Sequence, residues 1–283
     1  MIYDCFMFFN ELDILEIRLH ILNEYVDRFV LVECTKTHTG KDKPLYFEEN
    51  KNRFVDFLDR IIYVKVDDLP TFDGSNSWEL ENFHRNAIVR GLKNAKDNDV
   101  ILISDVDEIP NPEKIKIYSK SNEFVIFQQK LFYYYLNCLN KDTLWHGTIM
   151  LKYPFQKEIQ SYRHWSIVFS NIYDKNKIRS AYYYLKLMKF SLLDHKVKIV
   201  KDGGWHFSYM GGLESIIKKI ESYAHTEYNN EKYKDLEYLR KTIEQGKDIF
   251  ERNYTYQFLD NDEILPIYIV QNKDKYRHLY FHR

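Results

Sequence analysis

Val100-Ile101-Leu102-Ile103-Ser104-Asp105-Val106-Asp107-Glu108 is an apolar run that ends in three carboxylates within four residues. Asp99 to Ile103 has the length and β-branched content of a strand covered on both faces. If the chain stays extended, Asp105 and Asp107 point to the same side. Two unpaired carboxylates a few ångströms apart repel by roughly 4 kcal/mol at an effective dielectric near 20. A divalent cation with oxygen ligands relieves that repulsion, and magnesium or manganese suits such ligands while keeping positions open for substrate phosphates. Capping of the next helix does not explain the acids. Asn111-Pro112-Glu113 already supplies an N-cap side chain, a proline at the first helical position and a first-turn acid.

Upstream of this run, strand and helix patterns alternate. Ile2 to Phe8 reads as a strand and Glu11 to Asn23 as a helix with Leu12, Leu15, Leu19 and Leu22 on one face. Arg28 to Cys34 and Ile61 to Val66 read as strands, and Trp78 to Ala95 as a helix. This β-α-β order predicts a largely parallel sheet with right-handed crossovers. Ligands of such sheets sit beyond the carboxyl ends of the strands. Asn10 and Glu11 follow the first strand there, Glu33 ends the second, and Asp105 and Asp107 end the fourth. No GxGxxG follows the first strand and no GxxxxGK[ST] occurs, so nucleotide binding would run through a metal. Downstream, Phe124–Gln128, Phe132–Leu136, Thr148–Lys152 and Lys198–Val200 are strand candidates. Two helices are expected over Leu213–Tyr228 and Glu231–Gln245.

A chain of 283 residues suits one large α/β unit. We expect a single catalytic domain over 1–283, with a nucleotide-binding half to about residue 110 and an acceptor-binding half with C-terminal helices from about 111. The 24 Tyr and 19 Phe predict an aromatic core and a sugar-stacking surface. The 41 basic residues nearly balance 42 acidic ones, which argues against a nucleic-acid binder that must neutralise many phosphates. Cys5, Cys34 and Cys138 have neither zinc nor disulfide-framework spacing, which predicts a reducing compartment. With no basic n-region and no membrane-length apolar stretch, a cytoplasmic chain is expected, with peripheral membrane contact through its aromatic patches left open.

His206 follows Gly203-Gly204-Trp205 and is a candidate third metal ligand beside Asp105 and Asp107. Arg85 could grip a diphosphate through two parallel hydrogen bonds, or pair with Glu81 one helical turn away. For the general base, Asp202 is favoured by its closeness in sequence to His206. Glu227 beside His225, and Glu158, are alternatives.

The chain resembles glycosyltransferase family 17, the β-1,4-mannosyl-glycoprotein N-acetylglucosaminyltransferases that add bisecting GlcNAc and their microbial relatives. Carrying the resemblance are Asp4-Cys5-Phe6-Met7-Phe8-Phe9-Asn10-Glu11-Leu12-Asp13, Val26 to Glu33, Thr39 to Leu45, Arg85-Asn86, Asp105 to Pro110, Gly203 to Ser208 and Ala224-His225-Thr226-Glu227. It implies a GT-A-type, Rossmann-like fold, a UDP-sugar donor with UDP-GlcNAc first, Mn2+ or Mg2+, and inversion at the anomeric carbon. It implies a metal and diphosphate site at Asp105, Asp107 and His206. Asn10, Glu11, Glu33, Lys43, Arg85, Asn86 and Asp105 are the donor-side residues expected. The acceptor is expected to be a glycan, lipid-linked or on a glycoprotein. The alternatives kept open are a metal-dependent nucleotide hydrolase or nucleotidyltransferase, and a carbohydrate-binding protein without activity.

Overall fold

The computed structural model describes residues 1–172, 181–185, 188 and 196–282. Its strands are β1 (Ile2–Phe8), β2 (Arg28–Cys34), β3 (Ile61–Val66), β4 (Val100–Asp105), β5 (Glu108–Pro110), β6 (Phe124–Phe127), β7 (Gln129–Tyr133), β8 (Cys138–Trp145), β9 (Ile149–Lys152), β10 (Val197–Val200), β11 (Gly204–Ser208) and β12 (Tyr256–Phe258). A central sheet runs β10-β6-β9-β4-β1-β2-β3 and is parallel except for β9. The smaller sheet runs β12-β8-β7-β11-β5. This is the mostly parallel, helix-flanked α/β architecture expected.

Side chains of the central strands alternate between two apolar layers, as period-2 geometry requires. Phe6, Phe8, Phe29, Leu31, Val100 and Leu102 pack with Leu15, Leu19 and Leu22 of the Leu12–Leu22 helix. Cys5, Val30, Val32, Ile101 and Ile103 pack on the other face with Ile88, Leu92, Ile159 and Tyr162. A strand covered on both sides reads as an apolar run, which is why β2 falls where the sequence put it; β3, at the sheet edge, is half-buried with Lys65 exposed. All three cysteines are free and buried. Among the described residues no helix is long and apolar enough to cross a membrane.

Three expected helices are shorter in the structure; that over Glu231–Gln245 divides into a 3-10 turn at Glu231–Lys234 and an α-helix at Leu236–Glu244, whose N-cap Asp235 accepts the Tyr238 N–H. The one over Trp78–Ala95 is α-helical only from Ser77 to Asn86 and continues as a 3-10 turn over Ala87–Leu92. In that turn Gly91 lies so close to the sheet that a Cβ would sit 2.3 Å from Val30. The one over Leu213–Tyr228 stops at Ser222. Thr39 Oγ1, the His38 N–H and Ser77 Oγ donate to the carbonyls of Glu221, Ser222 and Ala224, so tertiary donors take those groups. Strands β8, β11 and β12 and the Ile159–Ile172 helix were not anticipated.

The decisive run belongs to both sheets. β4 ends at Asp105 and β5 begins at Glu108, with Val106 and Asp107 turning between them. Beneath that turn lies Arg18, fully buried. It grips Asp4 of β1 with Nε and Nη2 at 2.7 and 2.6 Å and donates to Ser104 Oγ. Its Nη1 faces the carbonyls of Asp105, Val106 and Glu108 at 3.1, 3.1 and 2.9 Å. Removing one member of a fully buried ion pair leaves an uncompensated charge, a loss of about 3–5 kcal/mol. Arg18→Met should therefore lower the urea-derived stability by about that amount, and adding Asp4→Asn should restore part of it. Equal stability of Arg18→Met and the parent would show that the pair does not hold the turn.

Candidate active site

Asp105 and Asp107 do not face each other unpaired, as the sequence suggested; each meets cations supplied by the chain. Asp105, whose side chain is one-third exposed, lies 3.1 Å from Arg85 and 3.5 Å from Arg163. Asp107 is buried, with Lys219 at 2.9 Å and the Nε2 of His206 at 3.5 Å. Burial pushes both carboxyls toward protonation, but the facing cations outweigh it. Arg85 and Arg163 hold Asp105 below the usual carboxylate range, and Lys219 and His206 hold Asp107 well below it. Among the described residues no group of three or more His, Cys, Asp or Glu side chains is arranged to hold a metal ion. The expected trio therefore does not stand preassembled, because basic groups take up its oxygens.

His206 is on β11, which pairs with β5 so that His206 stands opposite Glu108. The close approach comes from the glycines before it. A Cβ on Gly204 would sit 2.2 Å from the Ile109 carbonyl oxygen, and one on Gly203 would sit 2.7 Å from the Gln128 nitrogen. The imidazole lies 4.8 Å from the Trp145 ring, and its Nδ1 is buried with no hydrogen-bond partner. Arg85 Nε is likewise buried and unpartnered. Buried polar atoms ordinarily find partners, so two orphans at one site mark places where a ligand's acceptors or a cation would fit.

The other expected residues divide into those at the site and those elsewhere. Glu11 reaches Lys219 at 3.6 Å while accepting the N–H groups of Phe9 and Asn10. Arg85 pairs with Glu81 at 2.9 Å, as one reading had it, and also reaches Asp105. Lys43 lies over the rings of Phe9 and Tyr46, where β1 and β2 end.

Three assignments are corrected. Glu33 does not line an open pocket: it is fully buried, taking Lys43 at 3.2 Å, the Tyr63 hydroxyl at 3.0 Å and the Phe47 N–H, and burial raises its carboxyl above the usual value. Asn86 faces away. Its carbonyl caps Gln160 N at the start of the Ile159–Ile172 helix and its amide donates to the exposed Glu158 at 3.2 Å. Asp202 is not at the reaction centre either. Its side chain is 74% exposed and pairs with Lys130. It sits at φ 50° in the turn that precedes β11, which directs its side chain to solvent. Glu227 is exposed and lies 2.7 Å from His225, whose ring stands edge-on to Trp78.

Sequence reasoning did not single out Arg163, Lys219, Trp145 or Glu108 in a role. Glu108 is fully buried and gathers Arg163, the Trp145 indole N–H and the amide of Asp105. Trp145 thus has its polar edge fixed and its ring partly open beside His206.

A glycosyltransferase family 17 model matches residues 1–173. The chain belongs to glycosyltransferase family 17. It is similar to the beta-1,4-mannosyl-glycoprotein 4-beta-N-acetylglucosaminyltransferases of Rattus norvegicus, at 26% identity over 95% of this chain and 52% of that protein, and of Homo sapiens, at 25% over 95% and 53%. The chain spans about half the length of these relatives. Among solved structures it is similar to a UDP-glucose pyrophosphorylase complexed with UDP-glucose, with a TM-score of 0.31 and 8% identity over 59% of this chain and 88% of that one, too slight a likeness to argue from. The stretch that the family model matches contains Asp105, Asp107, Arg85 and Arg163 but not His206 or Lys219.

Because Asp105 and Asp107 titrate below their unfolded values, their stabilising share is complete above about pH 4 and is lost as acid approaches their folded values. In urea melts from about pH 6 down to about pH 3, Asp107→Asn should decline less steeply than the parent. Parallel declines would show that Asp107 is not held in this way.

Proposed function

We propose that the chain is a metal-dependent, inverting glycosyltransferase that moves a sugar, GlcNAc first, from a UDP-sugar to a hydroxyl of a glycan acceptor. One observation carries this reading. At the carboxyl end of a parallel strand, two aspartates that suit a divalent cation stand among Arg85, Arg163 and Lys219, which suit a diphosphate. Asp105, Asp107 and His206 would hold Mn2+ or Mg2+, and the His206 Nε2 that faces Asp107, together with two carboxylates, is a donor set that fits it. When bound, the ion supplies charge neutralisation for the departing diphosphate.

The chain's own side chains do the rest. Arg85 and Arg163, both beside Asp105, would take phosphate oxygens, and the edge-to-face rings of Phe9 and Tyr46, with Lys43 over both, would border the uracil ring. The open face of Trp145 provides a platform for a pyranose beside His206. Glu227, oriented by His225, takes the proton of the acceptor hydroxyl as that oxygen bonds to the anomeric carbon and the bond from that carbon to the diphosphate breaks, releasing UDP. Attack opposite the leaving group inverts the anomeric configuration. The names of the rat and human relatives favour a mannose-containing glycan as acceptor, free or attached to lipid or protein.

A panel of UDP-sugars assayed for UDP release with manganese tests the proposal. Asp105→Ala and Asp107→Ala should each lower turnover by about a hundredfold, and unchanged turnover in both would remove the site. Release of phosphate or pyrophosphate instead of UDP would favour the nucleotide-hydrolase or nucleotidyltransferase alternative. Glu227→Gln should lower kcat by about a hundredfold or more with little change in donor KM. A normal kcat would assign the base elsewhere.

A further inference from the structure

The cations around the acidic turn are not equally committed. Arg85 also holds Glu81 and Gln160, and Arg163 also holds Glu108, Ser166 and the Gly147 carbonyl. Lys219 is different. Among the described residues its ammonium meets only Asp107 at 2.9 Å, Glu11 at 3.6 Å and the face of the Tyr209 ring at 5.3 Å. Two of these three are acidic groups of the candidate site, and the third is a weak partner.

Its backbone is nevertheless fixed. The Lys219 carbonyl accepts the Tyr223 N–H, and the end of its helix is tied down by Thr39 Oγ1 and the His38 N–H. Only the four-carbon stem is left to move, with the side chain 23% exposed. A lysine with a fixed root, a flexible stem and, among the described residues, no ion-pair partner outside the site can change partners without any rearrangement of the fold.

We propose that Lys219 is a resident counter-ion: it occupies Asp107 in the empty site and transfers to the donor's diphosphate, freeing Asp107 for the divalent cation. This rests on the metal and sugar-nucleotide reading above and goes beyond it. A cation arriving alone must displace the ammonium of Lys219 from a buried carboxylate and leave it beside Glu11 only. A diphosphate arriving with the cation offers that ammonium two or more oxygens in exchange. Metal and nucleotide therefore help each other to bind, and by linkage each raises the affinity of the other by the same factor.

The test is equilibrium binding. Manganese is titrated into the full chain and followed by the loss of the free-ion electron paramagnetic resonance signal, with and without UDP. UDP alone is titrated by calorimetry. Lys219→Gln should bind manganese alone roughly tenfold or more tightly than the parent, bind UDP alone more weakly, and show a smaller gain in manganese affinity when UDP is added. The direction is diagnostic, since a merely structural lysine would weaken manganese binding when lost. Lys219→Met, with an unbranched stem of similar length, repeats the measurement if the glutamine variant does not fold. Manganese affinity that is unchanged or weakened in a folded variant overturns the counter-ion role while leaving the metal reading intact. No manganese binding by parent or variant, with or without UDP, overturns both.

Discussion

Six hydrogen bonds from one buried guanidinium organise this molecule. Arg18 ties Asp4 on β1 to Ser104 on β4 and to the carbonyls of the turn that follows. Two adjacent parallel strands, a helix and the acidic turn therefore share one polar hub inside an otherwise apolar layer. An ion pair so deeply buried adds little net stability compared with well-packed hydrophobic residues. It gives position: the backbone of Asp105, Val106 and Glu108 cannot rise toward the cleft without leaving carbonyl acceptors unpaired.

Above the hub a second electrostatic layer settles the state of the site. Three acids in four residues would destabilise one another if left alone, and the fold balances them one by one. Arg163 and the Trp145 indole serve Glu108, Arg85 and Arg163 serve Asp105, and Lys219 serves Asp107. Two of those cations come from helices far along the chain, Ile159–Ile172 and Leu213–Ser222, so the cleft is completed only when the second half of the chain has packed on the first.

The parallel strands were legible because burial on both faces leaves an uninterrupted apolar signature, and the acidic strand end stood out for the contrast it makes with that signature. The residues that answer those acids were not. Arg18 falls between Leu15 and Leu19 on the apolar face of its helix, the one sequence hint that it points into the core. Lys219 sits on an amphipathic helix, where a lysine looks like ordinary solvated surface until the partner across the cleft is known. Asp202 misled because closeness in sequence does not fix direction: it lies in the turn before β11, and its side chain leaves toward Lys130 and solvent. Glu33 and Asn86 stand close to the cleft in sequence order, yet their hydrogen bonds are spent on Lys43, Phe47 and Gln160. Strands β8 and β12, the last two at one end of the small sheet, escaped notice because their mixed polar and aromatic sequences lack a clean alternation.

The passage of β4 directly into β5 has a mechanical corollary. These consecutive strands lie in different sheets with only Val106 and Asp107 between them. The chain crosses between the same two sheets again from β6 to β7 through Gln128, from β8 to β9 and from β10 to β11, each time within three residues. Short crossings at four places hold the sheets to one relative setting, and the spacing of the carboxylates at the first crossing is held with it.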